Sequence, residues 1–269
     1  MRGIVIFFKK LFGIPLTDLD RLYDHKGPVL VITPKPFPET PAPAPLPDPK
    51  PSNDVVLGID CARYQKGIRW PEVAAAGVKF AINKATDGEE YVDPLHASHR
   101  AGARSVGIVP GHYHFFRFKG DPLKQARHFV QTVQTLAPGE LCLALDVEWD
   151  NSSGGYLKYR DGGEMDDQAA AAVLICLAEI ERLAGVTPWI YTAPGFWTGK
   201  FKAPERFSRF PLWLNDFKAK SVTQLRTPKM TWQRPVVWQY GEQPMAGVGG
   251  VDLNRFLGSL DEFKAMIKK

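Results

Sequence analysis

Two acids, Asp146 and Glu148, interrupt an apolar run in the segment LALDVE, and no other spacing in this chain carries as much chemistry. In a strand, residues i and i+2 point to the same side, with backbone positions about 6–7 Å apart. Carboxyls that close a buried run are costly unless paired or used, and repulsion between them adds to burial in raising the pKa of one. A carboxyl held protonated in this way suits a general acid, while acids beside it stay charged and stabilise cationic character at a sugar carbon. Glycoside hydrolysis requires this division of labour. Glu148 has the longer reach and is assigned the acid. Two further carboxylates end or follow apolar runs, Asp60 in VLGID and Asp216 in PLWLND, and complete a predicted catalytic set of Asp60, Asp146, Glu148 and Asp216. Taken singly, Asp60, Asp150 and Asp216 are read equally well as helix caps or loop starters. Asp146 and Glu148 together resist that reading.

Other groups offer rival chemistry. His112 and His114, in GHYHFF, form an HxH pair that supports a metal-dependent hydrolase as the alternative. Barrels of that kind recruit further histidines from later strands, and no histidine follows His128 here. A buried, hydrogen-bonded pair is the preferred reading, and no metal site is predicted. A carboxylate site for Mg²⁺ or Ca²⁺ lacks a phosphate motif or an EF-hand loop. There is no serine nucleophile elbow. Cys61 alternates to the side opposite Asp60, and the odd set Cys61, Cys142 and Cys176, without a CxxC spacing, reads as free, buried thiols.

The elements that must position these acids are short β-rich runs alternating with helical patterns. The runs are Val55–Asp60, Val78–Ala85, Gly107–Phe116, Leu141–Glu148, Trp189–Thr192, Pro211–Asn215 and Val236–Tyr240, with a last short candidate at Val251–Leu253. Helices are predicted at Trp70–Ala76, Pro94–Ala103, Pro122–Leu136 and Asp166–Ala184, the last with Ala169, Ala172, Val173, Cys176, Ile180 and Leu183 on one face. The alternation predicts an α/β fold, an irregular parallel β/α barrel of the TIM type with some helices short or missing, whose strand C-termini share the active face. A doubly wound open sheet is the alternative, but no Gly-rich phosphate loop follows the first run.

Before the barrel lies TPKPFPETPAPAPLPDPKPS, too rich in proline for helix or inner strand. It divides the chain into a leader at 1–33, a semi-rigid linker at 34–53 and a catalytic domain at 54–269. The apolar residues Ile4, Phe7, Phe8 and Leu11 fall at helical spacing, and a second helix is capped by Thr17, so the leader is expected to pack or to touch a delivery partner or membrane surface. The run at Ile4–Phe8 is too short to span a bilayer and lacks a cleavage site, so no classical signal peptide is expected. A charge of +5 favours anionic polymers weakly, and no Lys/Arg block points to nucleic acid.

The blocks GIDCARYQKGIRWPEVAAAGVKFAINKATDGEEYVDP, GIVPGHYHFF, LALDVEWD, PWIYT, PLWLNDF and VVWQYGEQ…GVGGVDLNRF resemble, in order and spacing, the glycoside hydrolase family 25 muramidases, the Chalaropsis-type lysozymes of bacteria, fungi and phage lysins. The resemblance runs from about Val55 to Phe256. It implies an irregular β/α barrel that hydrolyses the β-1,4 bond between N-acetylmuramic acid and N-acetylglucosamine without metal or organic cofactor. Glu148 would be the proton donor, Asp146 would orient or charge-stabilise the 2-acetamido group, and Asp60 and Asp216 would complete the cluster. Tyr113, Phe115, Trp149, Tyr191, Trp213 and Gln239 would line the glycan groove, with Asp252 near its floor. The chain departs from the family's pattern at Cys61-Ala62-Arg63, where a small residue and a serine are usual, and at Asn215. The glycine-rich stretch Asn151–Glu164 is expected beside the site. The implied partner is bacterial peptidoglycan, reached outside the cytoplasm through lysis, a phage particle or a secretion apparatus. A non-catalytic glycan-binding module on the same scaffold is the other class of reading, disfavoured by the survival of the acids.

Overall fold

The computed structural model describes residues 55–134, 136–150, 167–200, 204–228 and 231–269. The leader, the proline-rich linker and the stretch Asn151–Glu164 lie outside these residues. In chain order the strands are β1 (Leu57–Cys61), β2 (Val78–Asp87), β3 (Tyr91–Val92), β4 (Val109–Phe115), β5 (Leu143–Asp146), β6 (Trp189–Thr192), β7 (Leu212–Asn215), β8 (Val237–Met245) and β9 (Gly249–Phe256). The helices are α1 (Trp70–Ala75), α2 (His96–Ser105), α3 (Pro122–Val133), α4 (Asp167–Ala184), α5 (Pro194–Lys200) and α6 (Leu260–Met266).

Among the described residues the strands run β1-β9-β8-β7-β6-β5-β4-β2-β3 through one sheet, the pairing of β1 with β2 closes it into a barrel, and β3 lies outside the closure, paired antiparallel with β2. From β1 through β8 the barrel strands run parallel, as the alternating pattern predicts. The last candidate is different. β9 is a long strand antiparallel to both β8 and β1. A tight hairpin therefore stands where a regular barrel would place a helix, and between β7 and β8 the described residues hold only the 3-10 turn Val222–Gln224.

Side-chain parity explains both the core and the site. Val56 before β1, Phe80 and Ile82 on β2, Cys142 before β5, Ala144 on it, Trp189 on β6, Val237 on β8 and Phe256 on β9 belong to one buried cluster. Phe263 on α6 closes its lower end, with ring centroids 5.6 Å from Phe80 and 5.5 Å from Phe256. Continuing each inward set towards the strand C-termini turns it polar, through Asp60, Lys84, Tyr113, Asp146, Asn215 and Gln239. The outward set, with Ile59, Cys61, Ala81 and Leu253, packs on Trp70 and Val73 of α1 and Ala103 of α2. Cys61 thus faces away from Asp60, as alternation requires, and all three cysteines are free and buried.

Local chemistry sets the helix ends. Asp121 accepts the N–H groups of Leu123 (2.8 Å) and Lys124 (3.3 Å) ahead of Pro122. Ser259 and Glu262 form a reciprocal capping box at α6. The hairpin tip turns at Gly247, whose φ of 84° favours glycine, and its carbonyl accepts the Arg69 N–H at 2.7 Å, joining the tip to the start of α1. A Cβ there would press on the Arg69 carbonyl oxygen at 2.7 Å. Gly247→Ala is expected to destabilise the barrel by about 1–3 kcal/mol, read as a lowered thermal midpoint; an unchanged midpoint would show that the tip relaxes freely.

Candidate active site

β1, β5 and β9 bring Asp60, Asp146, Glu148 and Asp252 within electrostatic reach of one another. Asp60 lies directly opposite Asp252 in the antiparallel register of β1 and β9, where facing Cα atoms are about 4.5–5.5 Å apart. Burial, then the Asp252 charge, pushes the Asp60 carboxyl up to about 8, even though Asn254 and Gln239 donate to it and favour the anion. Asp146 is 5% exposed and is raised by burial and by the Glu148 charge; its Oδ1 has no hydrogen-bond partner. Glu148, just past the end of β5, is raised by burial to about 7, pulled down by Lys84 and Arg117 and up by Asp252. Asp252 is itself raised by burial to about 6. Such a cluster cannot ionise fully near neutral pH, and its protons belong to the group as a whole.

Beneath Asp60 lies a fixed network. Asn254 Nδ2 (2.7 Å) and Gln239 Nε2 (2.8 Å) both donate to its Oδ2. Trp213 Nε1 donates to Asn254 Oδ1 at 2.7 Å, while the Tyr191 hydroxyl and Asn215 Nδ2 each donate to Gln239 Oε1 at 2.8 Å. These bonds decide roles expected from the sequence. Tyr191, Trp213 and Gln239 are 7%, 2% and 3% exposed, with their polar atoms bonded within the network of Asn254, Asn215 and Asp60, so they support Asp60 from below and are not among the residues lining the cleft beside Glu148. Tyr113 sits among the acids, its hydroxyl pushed up by burial and by Asp60 and Asp146. Phe115 and Trp149 line an open cleft of about 620 Å³ together with Glu148.

Asp216 is not brought into this cluster. It is 1% exposed, accepts the N–H groups of Lys218 (3.2 Å), Ala219 (3.3 Å) and Arg226 (2.9 Å), and is ion-paired with the Arg226 guanidinium. These partners hold its pKa below the usual carboxylate range despite burial. It organises a loop, and Asp252 takes the fourth place among the interacting acids.

The HxH pair also points elsewhere. Alternation on β4 sends Tyr113 and Phe115 inward and both histidines outward. His112 Nδ1 lies 2.9 Å from His96 Nε2, and its Nε2 is 3.3 Å from Glu140 Oε2 without full hydrogen-bond alignment. His114 is engaged at both ring nitrogens, by Thr86 at 2.7 Å and Gln125 at 3.2 Å. Among the described residues no group of three or more His, Cys, Asp or Glu side chains is placed to hold a metal ion.

Sequence reasoning passed over the cations beside the acids. Lys84 bonds Asp87 at 2.8 Å, Arg117 grips Asp87 at 2.6 and 2.9 Å, and both approach the Phe115 ring, at 4.9 and 4.3 Å from its centroid. The signal was available: Lys84 shares the inward parity of Phe80 and Ile82 in a strand with little other charge.

Comparison with known proteins agrees with this architecture. The family model for glycosyl hydrolases family 25 matches residues 59–248. The uncharacterized protein YegX of Escherichia coli K12 is 29% identical over 224 residues, spanning 81% of this chain and 75% of that protein. Lysozyme M1 of Streptomyces globisporus is 27% identical over 217 residues, spanning 78% of this chain and 71% of the relative. The crystal structure of a bacterial lysozyme from Streptomyces coelicolor matches with a TM-score of 0.72 at 26% identity, over 80% of this chain and 98% of its own. With a family match covering most of a barrel that gathers Asp60, Asp146, Glu148 and Asp252 at one rim, this chain belongs to glycosyl hydrolases family 25 and is a glycoside hydrolase.

Proposed function

We propose that the protein is a muramidase that cleaves the β-1,4 bond between N-acetylmuramic acid and N-acetylglucosamine in peptidoglycan, with Glu148 as general acid. One observation carries the assignment: among the interacting acids, Glu148 lines the open cleft while holding its proton up to about 7. It donates that proton to the departing glycosidic oxygen as positive charge develops at the sugar carbon. Asp146, buried beside it with an unpartnered Oδ1, accepts the N–H of the 2-acetamido group and steadies it against that carbon. Asp252 supplies negative charge that helps keep the proton on Glu148, and Asp60, fixed through Oδ2 by Asn254 and Gln239, holds its place opposite Asp252. Phe115, Tyr113 and Trp149 offer ring surface to the glycan.

The enzyme acts on the bacterial cell wall. The finer reading, in which residues 1–33 dock on a delivery partner or membrane surface and the proline-rich linker holds the barrel clear of it, rests on sequence pattern alone. Borohydride reduction of a murein digest followed by mass spectrometry tests the central reading. New reducing ends should be muramitol; glucosaminitol ends would identify cleavage of the other glycosidic bond, and unbroken glycan would reject the activity.

A further inference from the structure

Among the described residues, one cation on the cleft wall has no acid to answer it. Lys84 and Arg117 are paired with Asp87, and Arg117 with Asp150 as well. Asp93 is occupied by the backbone, its Oδ2 accepting the Arg63 N–H at 2.8 Å and its Oδ1 the Leu95 N–H at 2.9 Å. The Arg63 guanidinium is held differently. Its Nη1 donates to the Tyr91 hydroxyl at 3.3 Å and its Nη2 to the Tyr64 hydroxyl at 3.0 Å. Its Cζ lies 5.0 Å from the Tyr64 ring centroid and 5.5 Å from that of Tyr91. Among the described residues the interactions that stabilise its charge are with those two phenols and not with a carboxylate.

The backbone around Arg63 is anchored on the barrel. Arg63 follows β1 by two residues, and its loop is tied down by the Ala62 N–H on Gln65 Oε1 (3.0 Å) and Gln65 Nε2 on the Gly250 carbonyl (3.1 Å). Arg63 is exposed and Tyr64 is 73% exposed, and the two phenol bonds orient the guanidinium towards the cleft while leaving donors open, since the fork carries five N–H groups. A planar fork held in place, with its charge unmatched, favours a carboxylate from outside. All three side chains line the same cleft as Glu148.

Resting on the muramidase reading, we propose that Arg63 is a specificity-determining residue that binds a carboxylate carried by the muramic acid of the substrate. The 3-O-lactyl arm is the feature that distinguishes this sugar from its neutral neighbour. It presents a carboxylate itself when unsubstituted, and through an attached acidic peptide when substituted. Arg63 thereby orients the strand, placing the muramic side on one flank of the proton donor.

Kinetics of the wild type, Arg63→Gln and Arg63→Lys on three glycan preparations test this: peptide-bearing strands, strands stripped to the free lactyl acid, and strands whose carboxyls have been amidated. Arg63→Gln should raise KM about tenfold on a carboxylate-bearing strand, with kcat changed far less. The penalty should shrink several-fold on amidated strands, and Arg63→Lys, which keeps charge without the fork, should recover part of the loss. A penalty confined to stripped strands assigns the lactyl acid, and one confined to peptide-bearing strands assigns the peptide. Equal penalties on all three preparations overturn the role of Arg63 and leave the muramidase reading standing. Failure of the wild type to release muramic reducing ends from any preparation would overturn that reading instead.

Discussion

Glu148→Gln should lower kcat on murein by at least about 10³-fold while leaving the barrel folded, because an isosteric amide keeps the packing and has no acidic proton to give. The same group sets the alkaline limb of the wild-type pH profile. Glu148 is productive only while protonated, so activity should fall as pH rises through about 7, the value to which burial raises it. Neighbouring charges give this assignment a directional check. Lys84 favours the anion, so Lys84→Gln should move the limb to higher pH; Asp252 disfavours it, so Asp252→Asn should move it lower. Shifts in the same direction in both variants, or cell-wall lysis at wild-type rate by Glu148→Gln, would sink the assignment of the acid.

The parts of this site that are legible in the sequence are those encoded within a single strand. Asp146 and Glu148 announce themselves because a period of two and an apolar run can be read locally, and the parallel order of β1 through β8 follows from alternation along the chain. What depends on pairing between distant strands is not legible in this way. The value of Asp252 as a cluster acid comes from its antiparallel register against Asp60, which requires β9 to turn back on β8 and then lie against β1. A short apolar run at 251–253 carries no mark of that direction. Asp216 shows the converse. An acid after an apolar strand looks the same whether it faces a cleft or caps a loop, and its ion-pair partner lies ten residues further on. Trp213 and Gln239 mislead for a related reason: an aromatic ring or an amide suits a sugar and a buried network equally well, and only exposure separates the two uses.

Asp146→Asn should separate activity from stability. Asp146 is held protonated in the fold by burial and by the Glu148 charge, which raise its pKa above the ordinary value of 3.8. Above about pH 4 the unfolded chain releases that proton while the folded chain retains it, so wild-type stability declines with rising pH on account of this residue. An amide removes the linkage. The variant should match the wild type in urea unfolding below pH 4 and gain on it above, by about 1–3 kcal/mol near neutrality. Activity should move the other way, with kcat lowered about 10²–10³-fold, because a carboxyl can give up its proton and become an anion once the sugar carbon beside it turns cationic, and an amide cannot. A variant that is less stable at every pH would instead mark Asp146 as a structural acid whose unpartnered Oδ1 serves the fold, and the loss of activity would then follow from a damaged barrel.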